Sequence, residues 1–178
     1  AADKGKSDAQ FNLGLMYLKG EGVPQDYAEA MALFEKAAEQ DNVRAQVNLG
    51  RMYAKAKGVA PNYGKAVYWF NKAAELGYAD AQYSLGVLYV SGIGAPRDYD
   101  KARDLFTKAA EQKNASAQYQ LGLIYLKGKG VAVDKVEAMK WLILAGDYDD
   151  AVTYRKYAEA QMSKEELAEA KAEAKKLQ

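Results

Sequence analysis

Proteins do most acid–base and nucleophilic chemistry near neutral pH with histidine and cysteine, and this sequence contains neither. An imidazole base, a thiolate nucleophile, a disulfide and a thiolate or imidazole metal site are all excluded. Phosphate chemistry would need a glycine-rich cradle. Gly5-Lys6-Ser7 matches the tail of such a loop, but the earlier glycine and the preceding strand that the full motif requires are absent. The segment reads instead as a turn between helices. The pairs Gly20/Gly22, Gly92/Gly94 and Gly128/Gly130 recur between helical segments, where glycine serves turn geometry. Carboxylates interleave with lysine along helix surfaces, as in Glu35-Lys36 and Glu39, and offer no convergent acid and base. Asp147, Asp149 and Asp150 lack calcium-loop spacing and read as a solvated helix junction. The basic run Lys127–Gly130 is too short for a nucleic-acid stripe. The expectation is no enzyme: no catalytic residue, no cofactor and no metal.

The chain has 178 residues, 49% apolar and 28% charged, a globular rather than a disordered mixture. Lys plus Arg is 25 against 24 for Asp plus Glu, and a net charge of +1 argues against a nucleic-acid partner. No apolar run reaches the ~18 residues of a membrane span, so no membrane insertion is expected. No signal-peptide pattern opens the sequence, although a mature or cropped chain would have lost one. The missing cysteines leave the compartment open. The composition is odd in one respect: 14 Tyr against 4 Phe and 2 Trp.

The elements that carry these residues follow from internal repetition. Shifted by 36 residues, Ala9-Gln10 falls on Ala45-Gln46, Ala81-Gln82 and Ala117-Gln118. Leu13-Gly14 falls on Leu49-Gly50, Leu85-Gly86 and Leu121-Gly122, and Tyr17 on Tyr53, Tyr89 and Tyr125. Gly22, Gly58, Gly94 and Gly130 align, as do Ala30, Ala66, Ala102 and Ala138. An aromatic slot holds Phe34, Phe70 and Phe106, then Leu142, and Ala37, Ala73, Ala109 and Ala145 follow it. The tyrosine slot, with Tyr27, Tyr63 and Tyr99, accounts for half of the tyrosine excess.

Each unit reads as two helices. The first spans about residues 8 to 19, with Ala9, Leu13, Met16 and Tyr17 on one stripe. Asp26, Asn62, Asp98 and Asp134 are N-cap residues for the second helix, which carries Ala30, Leu33, Phe34 and Ala37 on one stripe. A mid-helix glycine costs roughly 1 kcal/mol against alanine. Its recurrence at Gly14, Gly50, Gly86 and Gly122 predicts close approach of the paired helix, where Ala30 and its copies are also small.

With these residues in place, the pattern resembles the Sel1-like repeat, an α/α relative of the tetratricopeptide repeat, over nearly the whole chain. Ala56 departs from it at a loop glycine and Ala95 at a loop valine. The resemblance implies an all-α fold: a right-handed α/α superhelical solenoid of four helix-turn-helix repeats with a C-terminal capping helix pair. Repeats fall at about 5–40, 41–76, 77–112 and 113–148 and the cap at 149–178, in one solenoid domain spanning 1–178. Ala1-Ala2 lies in register with Ala37-Ala38, so the sequence reads as a fragment of a longer array whose first helix bares an apolar flank. At the other end Ser163 and Glu166 form a capping-box pattern. The last helix is expected to cover Ile143 and Leu144, which replace polar residues of earlier copies.

For function the resemblance implies a scaffold or adaptor that binds a protein or peptide segment on the concave face formed by the first helices. The alternative is an architectural spacer whose binding surface lies elsewhere, with a hydrolytic enzyme a distant third. Non-core first-helix positions differ between copies. One row is Phe11, Val47, Tyr83 and Tyr119; the next is Leu15, Arg51, Val87 and Leu123. Lys19, Lys55 and Lys127 form a basic rim, and Asn12, Asn48, Ser84 and Gln120 run beside the first row. Such a face suits a segment with apolar anchors and some acidic character. The first row reads equally as core packed between neighbouring helices. A monomer is expected. The regular units and the scarcity of glycosylation sequons favour a bacterial source, and the resemblance a periplasmic or secreted location.

Overall fold

The computed structural model of the chain describes residues 2–55 and 59–178, with side chains from residue 5 onward. The expectations placed on Ala1, Ala56 and Gly58 lie outside the described residues. The described residues form ten helices and no strand. They fall into two compact units, divided between Pro96 and Arg97. The first holds α1 (Ala2–Lys19), α2 (Tyr27–Ala38), α3 (Val43–Lys55), α4 (Tyr63–Glu75) and α5 (Ala79–Ser91). The second holds α6 (Tyr99–Glu111), α7 (Ala115–Lys127), α8 (Lys135–Leu144), α9 (Ala151–Glu159) and α10 (Lys164–Lys176).

Odd-numbered helices up to α7 are first helices of a repeat and even-numbered helices up to α8 are second helices. α1 packs on α2, α3 on α4 and α7 on α8, and α2, α4 and α6 each also pack on the next first helix. The second helices begin where capping chemistry directs. Asp26, Asn62, Asp98 and Asp134 each accept a hydrogen bond from the backbone N–H three residues on, at 2.9–3.0 Å. The loop before the cap closes on the tyrosine slot: Asp26, Asn62 and Asp134 donate their backbone N–H to the carbonyls of Tyr17, Tyr53 and Tyr125.

The recurring glycine gives the close approach its spacing required. A Cβ on Gly50 would sit 2.7 Å from the Phe70 ring, and one on Gly122 2.6 Å from the Leu142 side chain. The contacting group is thus the aromatic slot of the paired helix. The Ala-Gln pair also gains a role that its spacing did not disclose. Gln46, Gln82 and Gln118 are buried, and each donates its side-chain amide to the last turn of the preceding helix, at the carbonyls of Ala38, Ala74 and Ala110. Each of these carbonyls also accepts the backbone N–H of the junction residue three positions on, Asp41, Gly77 or Lys113, so the glutamine takes up its second lone pair.

Repeats join through one left-handed residue, Asp41 (φ 57°), Gly77 (82°) or Lys113 (63°), and two, Gly146 (61°) and Asp149 (49°), stand ahead of α9. Gly5 shares that register, yet the turn expected over Gly5-Lys6-Ser7 does not form. The first helix runs from Ala2 and not from about residue 8. At the later junctions the preceding second helix fastens the turn, as where Asp41 and Asn42 donate to the carbonyls of Ala38 and Ala37. Among the described residues no such helix precedes Gly5, and the backbone stays helical.

The same difference decides burial. Ala45, Leu49 and Met52 are buried beneath α2, whereas their counterparts Ala9, Leu13 and Met16 are exposed, Leu13 at 40% against 0% for Leu49. In the second unit α10 supplies the expected cover for α8. Met139, Ala158 and Ala170 form its centre, with Ile143, Met162 and Leu167 packed around them. Leu144 is half-buried. Ser163 and Glu166 form the full capping box at the start of α10.

Candidate functional site

The first-helix face divides by burial. Phe11, Val47 and Tyr119 are core residues, which corrects their placement on a partner-binding surface. Helical geometry turns this register toward the core, since each member lies three residues before the close-approach glycine, although burial is complete only for these three. Phe11 packs on the Phe34 ring with centroids 5.7 Å apart, under the Arg44 guanidinium. Tyr119 joins Leu142, Ala145 and Ala151. Tyr83 is only half-buried. The next row stays accessible, with Leu15, Val87 and Leu123 half-buried and Arg51 exposed. Asn12 is exposed, and Asn48, Ser84 and Gln120 are half-buried. Asn48 and Ser84 donate to carbonyls four residues back, which fixes their side chains against their own helix. Lys19, Lys55 and Lys127 are exposed, as expected for a rim.

Each unit has a cleft between successive odd-numbered helices. In the first unit one such cleft measures about 280 Å³ and is lined by Leu18 and Lys19 of α1, Tyr27 of α2, and Asn48, Arg51, Met52 and Lys55 of α3, with Gln25 at the loop. The Gln25 side-chain amide donates to the Leu18 carbonyl and ties the loop down. In the second unit the cleft measures about 530 Å³. Leu126 and Lys127 of α7 line it together with Asp150, Thr153, Tyr154 and Tyr157 around α9. Lys127 donates to the Tyr154 hydroxyl and lies 4.9 Å from its ring centroid.

Four proposed residues thus meet in one cleft: Lys19, Asn48, Arg51 and Lys55. Lys127 lies in the other. Tyr154 and Tyr157 were missed. The signal for them was the first-helix register continuing past the fourth repeat, where Tyr157 takes the leucine slot. It lies 60% exposed, in contrast to the buried Leu49, Leu85 and Leu121.

Burial, with Asp149, Tyr154 and Asp150 adding to it, raises the Tyr119 phenol from its ordinary 10.0 to about 12. The folded chain therefore keeps this proton to higher pH than the unfolded chain. The corresponding stability is complete below pH 10 and is lost as pH rises through about 12. Trp141 reports on this unit. Urea midpoints followed by its fluorescence should fall across that window, and Tyr119→Phe should remove part of the fall. Identical pH profiles for the two proteins would refute the assignment.

Among the described residues no group of three or more acidic side chains is placed to hold a metal ion, and Asp147 of the aspartate cluster pairs with Arg155 at 3.2 Å. No described helix is long and apolar enough to cross a membrane. Tandem helix pairs, one register of cap, glycine and aromatic slot, and sites that are open clefts between helices define a helix-pair repeat protein, a fold typical of non-catalytic scaffolds. More narrowly, the chain belongs to the Sel1 repeat family, whose model matches residues 7–42, 43–78, 79–114 and 115–147. These bounds start two residues after those read from the spacing. Among solved structures, a protective antigen of uropathogenic Escherichia coli displaying an SLR fold is 36% identical with a TM-score of 0.87 over 99% of this chain. This chain spans only 38% of that protein. A Sel1 repeat protein of Oxalobacter formigenes is 33% identical with a TM-score of 0.78, over 91% of this chain and 76% of its own. One from Klebsiella pneumoniae is 26% identical with a TM-score of 0.54, over 89% and 80% respectively. No curated protein sequence matches the chain. Sel1 repeats generally bind other proteins, and these three solved neighbours are bacterial.

Proposed function

We propose that this chain is an interaction scaffold that takes a protein or peptide segment on the first-helix surface of its units. One observation carries the reading: the accessible non-core side chains on the first helices change from copy to copy around open clefts, while the Leu-Gly and alanine slots that pair the helices repeat. Leu15, Arg51, Val87 and Leu123 share one register and offer a partner three different side-chain types. Interfaces gain most from apolar and Arg anchors that a partner can desolvate, and such residues stand here beside half-buried amides.

Photo-crosslinking tests the reading. A benzophenone side chain placed at Asn12 or Lys127, both exposed on first helices, should capture partner protein from a native extract. The same group at Lys36 or Lys108, exposed on second helices, should not. Capture from neither set would favour the architectural reading, in which this segment spaces a longer array and binding occurs elsewhere, and capture from the second helices alone would overturn the first-helix assignment. That second reading draws support from the 38% share of the Escherichia coli protein that this chain spans.

A further inference from the structure

The two clefts differ in charge balance. The second-unit cleft holds one lysine and one aspartate, and its Lys127 is occupied by Tyr154. The first-unit cleft is lined by three cations, Lys19, Arg51 and Lys55, and by no carboxylate. The anions that reach these cations come from outside the lining. Glu21 lies 3.6 Å from Lys19 and Asp80 3.2 Å from Arg51, with both partners of each pair well exposed. Exposed pairs of this kind contribute little and exchange readily. Lys55 has no ion-pair partner among the described residues. The whole chain carries a net charge of only +1, so this is a local excess rather than a general one. The rest of the lining pairs the apolar Leu18, Tyr27 and buried Met52 with the amides of Gln25 and Asn48.

We propose that this cleft recognises an acidic peptide segment that carries an aliphatic side chain between its carboxylates. The inference rests on the scaffold reading and names its ligand chemistry. Carboxylates would take charge-assisted hydrogen bonds from Lys19 and Lys55 and a two-pronged contact from the Arg51 guanidinium, displacing Asp80. The aliphatic group would rest on Leu18 and Met52, where removal from water favours it. A segment with lysines in place of carboxylates would meet like charge and be rejected.

The test uses the full chain and a fluorescein-labelled peptide of glutamates flanking two leucines, followed by fluorescence anisotropy. Saturable binding that weakens with added salt is expected. Lys19→Glu/Lys55→Glu should lose about tenfold or more in affinity, as befits broken charge-assisted contacts. Lys36→Glu, on the exposed face of a second helix, should leave it unchanged. Both altered lysines are exposed, and circular dichroism should report an intact fold. A glutamate peptide without leucines should bind more weakly. Failure of the acidic peptide to bind, or equal binding by the double variant, overturns the proposal. So does equal binding of a short single-stranded oligonucleotide, which would mark a general polyanion surface. If the acidic peptide fails while Asn12 crosslinks persist, only this ligand assignment falls; if the crosslinks are also absent, the scaffold reading falls with it.

Discussion

Leu49→Ala should cost the first unit about 2–5 kcal/mol, and Leu13→Ala, the same substitution in the same repeat register, should cost well under half of that. Leu49 is fully buried between its own paired helix and α2, so truncation loses the transfer energy of the removed methyl groups and leaves a cavity. Leu13 is 40% exposed because among the described residues nothing stands where α2 stands over Leu49. Its truncation removes surface already partly in water and opens no closed void. The chain has 2 tryptophans, and Trp69 lies in the first unit with Trp141 in the second. In a Trp141→Phe background, urea unfolding followed by Trp69 fluorescence reads the first unit alone. Equal losses for the two variants would falsify the claim that the α1 stripe is uncovered.

That contrast also marks how far the sequence could be read. Features held by contacts within a few residues were legible: the caps at Asp26, Asn62, Asp98 and Asp134, the box at Ser163 and Glu166, and the loop glycines. So was pairing, because Gly50 and Phe70 belong to one unit and each needs the other's shape. Features that depend on a neighbouring repeat were not. Gly5 carries the residue type of a junction, but a junction needs the helix before it. Ala9, Leu13 and Met16 have the same types and spacing as Ala45, Leu49 and Met52, with opposite burial. Within the candidate surface, helical periodicity placed Phe11, Val47 and Tyr119 beside the core stripe. It did not say whether they turned toward Phe34 and Leu142 or toward water. The charge imbalance of the first cleft was hidden for a different reason. Lys19, Arg51 and Lys55 come from two helices, and their carboxylate partners Glu21 and Asp80 from elsewhere, so only three-dimensional placement reveals which cations face a shared space.

Gly94→Ala should be more damaging than Gly22→Ala, its counterpart two repeats earlier, at about 2–4 kcal/mol. Two costs add. The residue sits at φ 77°, where an L side chain costs roughly 1–2 kcal/mol. Its Cβ would also stand 2.5 Å from the carbonyl oxygen of Tyr63, the first residue of α4, and backbone held in a packed helix cannot yield as a side chain can. Overpacking of that kind costs about 1–3 kcal/mol. Gly22 has nearly the same backbone angle, φ 76°, but a Cβ there meets only the flexible end of Met16, at 3.3 Å. Gly22→Ala should therefore show the conformational cost alone, about 1–2 kcal/mol. The pair separates what a left-handed glycine does for its own turn from what it does for the repeat before it. Trp69-monitored urea midpoints decide the matter. If the two variants shift equally, the contact with Tyr63 contributes nothing and the glycine serves its own turn only. A larger shift for Gly94→Ala means that loop closure and repeat stacking are coupled through one hydrogen-sized side chain.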